Sequence, residues 1–541
     1  MKILHNAKIY TLDQSKPTAS AIAMDRGEVI AVGGDELLRE FDRAEKEDLR
    51  GRVVLPGLTD AHLHLQYYSL GLQKIDCETD TLDECLRRVD ERAQKARPGE
   101  WILGHGWNQN VWFPSPLRPS PSGRGVGGEG WPNATNLDQI APNNPVYLTA
   151  KSLHAGWANS AALKLADVTA SSPDPVNGRL QRDSRGALTG ILLESAMELI
   201  NRALPAPTVD EIASAIEKAQ PILWKMGLTG VHDFDRRDSF MALQILHLQN
   251  KLKLRVTKNL PVDLLDQAFE LGLRTGFGDD WLRLGSVKVF MDGALGPRTA
   301  AMFQPYEGEP ENKGILTMDA EQLFEVGRRA ADVGLGMAVH AIGDRANHEV
   351  LNAYRQLRAY EAEKGLPHLR HRIEHVQVLH PDDATRLAEL NVIASMQPIH
   401  ATSDMLMADK YWGARSSLAY AWRTQLDAGG RVAFGSDAPV ESPNPFWGIH
   451  AAVTRRRADG SPGLGGWHPG QRLTMQEAIE GFTTGAAYAA YAENRQGRLA
   501  PGFLADLIVL ESDPFKTDPQ EVKDFQSSAT MVGGEWVYIQ K

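Results

Sequence analysis

Apolar and polar positions alternate in different ways along this chain. From Met1 to Pro56 short apolar runs are separated by turns. Ala21-Ile22-Ala23-Met24, then Asp25-Arg26-Gly27-Glu28, then Val29-Ile30-Ala31-Val32 is a hairpin pattern. The far end reads the same way. Asp506–Leu510 is a strand, and Gly533-Gly534 joins Thr530–Val532 to Glu535–Ile539 as a second hairpin. Each end has too few strands to stand alone. The pattern therefore predicts one small β-sandwich domain assembled from residues 1–56 and 495–541.

In the middle, helical periodicity alternates with short apolar runs. Thr208-x-x-Glu211 is a capping-box signature, followed by Ile212, Ile216, Ala219 and Leu223 at helical spacing and by Gly227 as a stop. Pro221 is expected to kink this helix. Gly230–Asp233 reads as a strand end. Asp319-x-x-Gln322 opens a second helix, with Leu323, Val326 and Ala330 on one face and Gly334 as the stop, and Gly336–His340 is a buried strand. The cycle recurs at Arg372–Val376, Val392–Met396 and Val432–Phe434. Repeated strand–helix cycles predict an α/β fold, a (β/α)8 TIM-like barrel over 57–64 and 208–494, with an open doubly wound sheet as the alternative. No Gly-x-Gly-x-x-Gly follows a strand, so a dinucleotide fold has no support. Between 65 and 207 the rhythm breaks, which predicts a long insertion after the first barrel strand. Its segment 114–132, PSPLRPSPSGRGVGGEGWP, cannot bury a core and reads as a surface loop.

Composition narrows the function classes. The chain has 541 residues, with 58 Lys+Arg against 69 Asp+Glu and a net charge of −11, which speaks against a nucleic-acid partner. No apolar run approaches the length of a membrane span, and the start MKILHNAKIYTLD carries no secretory pattern. Cys77 and Cys85 are too few for a disulfide framework, so the cytoplasm is the default compartment. The expected partner is a small-molecule substrate.

Candidate chemistry lies at the ends of apolar strands. In VVLPGLTDAHLH, His62 and His64 alternate onto one strand face and can share an ion. His340 ends AVHAIGD's apolar run, His375 lies in RIEHVQ, and Asp437 lies in VAFGSDAPV. A barrel places all C-terminal strand ends on one rim, so four imidazoles and a carboxylate there make a shell for a divalent ion. Glu374 alternates away from His375 and reads as its neighbour's support.

The run PGLTDAHLH, followed by a lone Lys, His, His and Asp on successive strands, resembles the amidohydrolase superfamily of metal-dependent hydrolases. The closer resemblance is to its YtcJ-like branch (amidohydrolase family 3), which includes N-substituted formamide deformylase. It is carried by LHAGWANSAAL (153–163), KVFMDGALGPRTA (288–300), VHAIGDRAN (339–347), RIEHVQ (372–377), GSDAPV (435–440) and GRLAPGFLADLIVL (497–510). It covers essentially the whole chain; the segment 114–132 departs from it.

The resemblance implies one ion, the more buried, on His62, His64 and Asp437 and a second on His340 and His375, both Zn2+, bridged by Lys288 carboxylated by CO2. It implies hydrolysis of a C–N bond (amide, N-formyl, carbamate or similar), with Asp437 as general base and His154, projecting from the insertion, as hydrogen-bond donor. Asp292, Arg298 and Arg345 are further candidates near the substrate. Trp107, Trp112, Trp157 and Trp412 are expected to form an aromatic lid, and Arg415 to hold a substrate carboxylate. A homodimer is the assembly that related enzymes suggest. Two other readings stand beside this one. The first is a mononuclear deaminase-like enzyme using His62, His64, His340 and Asp437 without a modified lysine. The second is a non-catalytic ligand-binding homologue.

Overall fold

The computed structural model describes residues 1–112, 131–150, 155–176 and 178–540. It forms two compact units, Met1–Ser69 with Val209–Lys541, and Leu70–Thr208.

Eight parallel strands form the centre of the first unit: β1 (Leu58–Leu63), β2 (Leu228–Asp233), β3 (Arg255–Pro261), β4 (Leu282–Phe290), β5 (Met337–Ala341), β6 (Arg372–His375), β7 (Ile393–Met396) and β8 (Arg431–Phe434). They pair in chain order from β1 to β8. Most of their residues are buried on both faces, as parallel strands covered by helices require. No ladder joins β8 to β1. Loop bonds close the ring instead: Asp437 N–H donates to the His62 carbonyl (2.7 Å) and His64 N–H to the Ala438 carbonyl (2.8 Å). Asp60 accepts from Ser436 N–H (3.1 Å) and Ser436 Oγ (2.5 Å). The barrel expectation holds, and the doubly wound alternative falls.

Local signals explain the helices around it. Asp319 accepts from the Gln322 N–H (2.8 Å) while the Gln322 side chain accepts from the Asp319 N–H (3.0 Å), a reciprocal cap on the helix Ala320–Asp332. The helix Val209–Lys225 continues through Pro221 rather than breaking there. Pro221 is exposed, so water can serve the carbonyl its missing N–H leaves free.

Strands from both termini interleave in one six-stranded sheet. Its order is Glu535–Ile539, Ala529–Val532, Leu507–Leu510, Val53–Pro56, Lys8–Tyr10, Thr18–Ala19. The register pairs Val509 with Val54 in antiparallel fashion. A four-stranded sheet (Glu28–Gly33, Ala21–Asp25, Lys2–His5, Glu45–Asp48) contributes Leu4, Ile22 and Met24 to the same apolar cluster as Val54, Leu507, Val509 and Met531.

The second unit has a six-stranded mixed sheet of its own, ordered Gly178–Arg182, Leu188–Glu194, Ala155–Ala158, Val146–Ala150, Ile102–Trp107, Ile75–Asp76. Helix Leu82–Ala93 and this sheet bury Cys77, Cys85, Trp107, Leu148 and Trp157 together. Residues 113–130, nearly all of the low-complexity segment, lie outside the described residues. Among the described residues no helix is long and apolar enough to cross a membrane.

Candidate metal centre

The C-terminal ends of the barrel strands carry the ligand-type side chains. His62 is near the end of β1, and His64 follows it by two residues. His340 sits in β5, His375 ends β6, and Asp437 lies three residues past β8. Ring centroids are 5.9 Å apart for His62 and His64, 5.1 Å for His62 and His375, and 4.6 Å for His340 and His375. One Asp437 carboxylate oxygen stands 3.5 Å from Nε2 of His62 and 3.5 Å from Nε2 of His64. One donor atom from each of His62, His64 and Asp437 lies within 4.8 Å of the others, and the same is true of His375, His400 and Asp437.

Four of these imidazoles have one nitrogen engaged by the protein. His62 Nδ1 meets Glu374 Oε2 at 2.6 Å, His64 Nδ1 meets Asp235 Oδ1 at 3.0 Å, and His375 Nδ1 meets Gln397 Oε1 at 2.8 Å. An acceptor there fixes Nδ1 as the protonated atom and leaves the Nε2 lone pair facing the site. His340 is turned the other way: its Nε2 donates to the Gly293 carbonyl (3.0 Å), which leaves Nδ1.

Burial favours the neutral ring at His62, His340 and His375, whereas at His64 burial is outweighed by the Asp235 carboxylate, which raises that ring. Burial pushes the imidazoles of His62 and His375 well below the ordinary range and His340 down to about 3, with the nearby Lys288 charge or other imidazoles adding to the effect. A neutral imidazole has a lone pair to give a metal, so the donor set fits a divalent ion of the zinc type. Burial raises the Asp437 carboxyl.

The backbone is strained where the ligands sit. His375 (φ 76°), Val376 (φ 44°) and Asp437 (φ 60°) all occupy the left-handed region, which is costly above all for a β-branched valine. Lys288, in β4, is buried, with its Nζ 4.8 Å from the centres of both the Phe234 and Phe290 rings. Among the described residues no carboxylate pairs with it, and burial pushes it down to about 8.

The amidohydrolase family model matches residues 45–538. The chain belongs to the amidohydrolase family.

Three relatives span nearly all of it. "Protein LONG AFTER FAR-RED 3" of Arabidopsis thaliana is 34% identical over 99% of this chain and 91% of its own. "Putative amidohydrolase YtcJ" of Bacillus subtilis (strain 168) is 32% identical over 99% of each. N-substituted formamide deformylase of Arthrobacter pascens is 28% identical over 98% of this chain and 96% of its own. Among solved structures, an uncharacterized metal-dependent hydrolase from Pyrococcus furiosus is 31% identical, covers 95% of this chain and 100% of its own, and superposes with a TM-score of 0.76. This chain is therefore a metal-dependent hydrolase of the amidohydrolase family.

Other candidate residues of this amidohydrolase are placed differently from the rim cluster. Asp292 accepts from the N–H groups of Ala301 (2.9 Å), Ile342 (3.0 Å) and Gly343 (2.8 Å) and so ties the β4 and β5 loops together. It also stands 3.5 Å from His340 Nε2. Arg298 pairs with Glu309 at 2.5 Å. Arg415 donates to the carbonyls of Trp412 (2.9 Å), Gln304 (2.8 Å) and Pro305 (2.8 Å), so its guanidinium is used to pin a loop rather than offered to a carboxylate. The aromatic lid needs correction as well. Trp107, Trp157 and Trp412 have no exposed surface, and the Nε1 groups of Trp107 and Trp157 donate to the Leu148 and Asn133 carbonyls (both 2.9 Å). Trp107 and Trp157 fill the core of the second unit's sheet and Trp412 is buried at the end of a helix of the first unit, so none of the three has a face left for a substrate. His154 lies outside the described residues.

Sequence reasoning missed His400, Gln397 and Asp235. Gln397 and His400 follow β7 in SMQPIH, the same apolar-strand-then-polar rhythm that marked the other rim residues. Pro398 at the first position of the helix Pro398–Trp412 was the available signal that a strand had just ended.

Proposed function

We propose that this amidohydrolase cleaves a C–N bond of a small molecule, of the amide, N-formyl or carbamate class. The observation that carries the reading is the rim cluster: imidazoles whose outer nitrogens are already engaged, arranged around the one carboxylate of Asp437. That one full-length relative is a formamide deformylase supports the C–N bond in particular.

His62, His64 and Asp437 would hold one divalent ion, and His340 and His375 would help hold a second. Such ions, when bound, bring a water's pKa toward neutrality and polarise a carbonyl. The protein's own part is proton handling and orientation. Asp437, raised by burial, is a competent base: a carboxylate oxygen takes the proton from the attacking water and returns it to the departing nitrogen. Glu374, Asp235 and Gln397 keep the imidazoles in one tautomer through the cycle.

Lys288 supports the two-ion form over the mononuclear one. Burial, with no carboxylate paired to it among the described residues, pushes this amine down to about 8, so the free base is more accessible than in an ordinary lysine. The free amine can add CO2, forming an N–C bond and releasing one proton, and the resulting carbamate is an anion suited to lie between two cations.

The test is a panel of N-formyl, N-acyl and carbamate compounds offered to Zn2+-loaded protein, alongside metal analysis and intact mass of the native chain. Turnover within the panel with two ions per chain and 44 Da on Lys288, the mass of one CO2, is expected. No turnover within the panel but turnover of ring-amino compounds offered in parallel, with one ion and unmodified Lys288, would select the deaminase-like form.

A further inference from the structure

We propose that His400 is itself a metal ligand, so that His375, His400 and Asp437 make a three-donor site beside the one on His62, His64 and Asp437. The proposal rests on the metal-dependent reading of the rim and assigns it a residue that neither spacing nor resemblance had selected.

His400 lies in the first turn of the helix Pro398–Trp412, reached directly from the end of β7. Its ring is stacked parallel to that of His375, at 7° and 6.2 Å between centroids. Gln397, three residues earlier, accepts from His375 Nδ1 at 2.8 Å. One short segment therefore both orients His375 and supplies the next imidazole in line.

The decisive atom is His400 Nε2. It is shut off from solvent and, among the described residues, has no hydrogen-bond partner, in a residue only 8% exposed. Burying a polar nitrogen with nothing to bond forfeits its hydration without return. Water does not explain it, because a solvent molecule cannot reach the atom. A bare cation can, since it binds imidazole nitrogen at ~2.0–2.1 Å without needing the room of a water. The other two donors are already in place: one donor atom each of His375, His400 and Asp437 lies within a mutual 4.8 Å. Asp437 belongs to both triads, which makes its carboxylate the bridge between two sites. In this arrangement the second ion has a complete protein-borne triad even before Lys288 is modified.

The experiment compares the full-length wild type with His400→Gln. Both are loaded with Zn2+ and analysed for metal per folded chain, and both are titrated with Co2+ while the visible absorption of bound cobalt is followed. The expected result is that His400→Gln keeps the first ion and loses the second, or binds it at least tenfold more weakly, with a changed cobalt spectrum. Unchanged stoichiometry, affinity and spectrum would overturn the assignment. The wild-type count by itself tests the two-ion reading. If wild type binds a single ion and His400→Gln weakens it, His400 is still a ligand; if that ion is unaffected, it is not. Should the variant fail to fold, anomalous diffraction from Zn2+-loaded wild-type crystals decides. A peak at bonding distance from His400 Nε2 supports the proposal, and peaks only elsewhere overturn it.

Discussion

Glu374 is the residue on which the rim depends most heavily. One oxygen accepts from His62 Nδ1 (2.6 Å) and from Arg372 Nη2 (3.0 Å), and the other lies 2.5 Å from Arg372 Nε. Arg372 in turn reaches His232 Nδ1 (3.0 Å), Ser395 Oγ (2.6 Å) and the Ala61 carbonyl (2.7 Å), all inside the barrel. Glu374→Gln keeps the shape and removes the charge. Loss of an orienting carboxylate weakens metal binding by about 10–100-fold. Leaving a buried guanidinium without its counter-ion costs about 3–5 kcal/mol. Zinc affinity and urea denaturation would measure the two effects separately. Wild-type behaviour in both would show that the pair only fills space. Asp437→Asn removes both the proposed base and a carboxylate ligand: at saturating Zn2+, which offsets the weaker metal binding, kcat should still fall by about 10²–10⁴-fold, the range for a lost general base. Unchanged turnover would remove Asp437 from the mechanism.

At the scale of elements, what the sequence made legible were strands that end in a ligand-type residue. Met337–Ala341 is a short apolar run against which His340 stands out, while Arg372–His375 is buried but mostly polar and was marked by its place in the strand–helix cycle. The partners were hidden because they meet only in space: His232 and Arg372 lie 140 residues apart, and His64 and Asp235 171 apart. His400 escaped because it sits in a helix turn beyond its strand, where a rule about strand ends does not look. In the insertion, dense tryptophan was read as a lid, although a six-stranded sheet with its own helices needs those rings for its core. The loop after β8 yields a prediction at this scale. A Cβ on Gly435 would stand 2.4 Å from His62 N and 2.6 Å from Asp60 Oδ1, which are bonded to each other, and Asp60 Oδ1 also accepts the Ser436 N–H that helps close the barrel. Gly435→Ala should therefore destabilise the fold by about 1–3 kcal/mol or more through overpacking, and reduce bound metal with it. Gly470→Ala, whose Cβ meets nothing within 4 Å, should stay within about 0.5 kcal/mol of wild type. Equal melting temperatures for the two variants would refute this account of the closure.

Across the first unit as a whole, barrel and terminal sheet are joined by a buried ion pair. Arg255, at the start of β3, donates from Nε and Nη2 to the two oxygens of Asp506 (both 2.9 Å), and Asp506 also accepts from the Gly533 N–H (2.7 Å). The Arg255 guanidinium lies 3.8 Å from the centre of the Trp281 ring, so it is clasped from a second side. Because the N-terminal strand Val53–Pro56 pairs with Leu507–Leu510, the chain's two ends and the barrel's third strand meet within a few residues. Asp506→Ala would strand the guanidinium, whose side chain is only 5% exposed, without its counter-ion. The expected cost is about 3–5 kcal/mol, read as a lower urea midpoint at an unchanged slope. Replacing both partners, Arg255→Met with Asp506→Ala, removes the stranded charge and should recover much of that loss, since a buried pair exchanged for apolar groups is often near neutral. The rim cluster lies at the opposite, C-terminal end of the strands, so metal content per folded chain should be the same in all three proteins. A double variant no more stable than Asp506→Ala would show that the stranded charge was not the source of the loss. Metal lost in step with stability among chains that remain folded would show instead that the pair also shapes the rim.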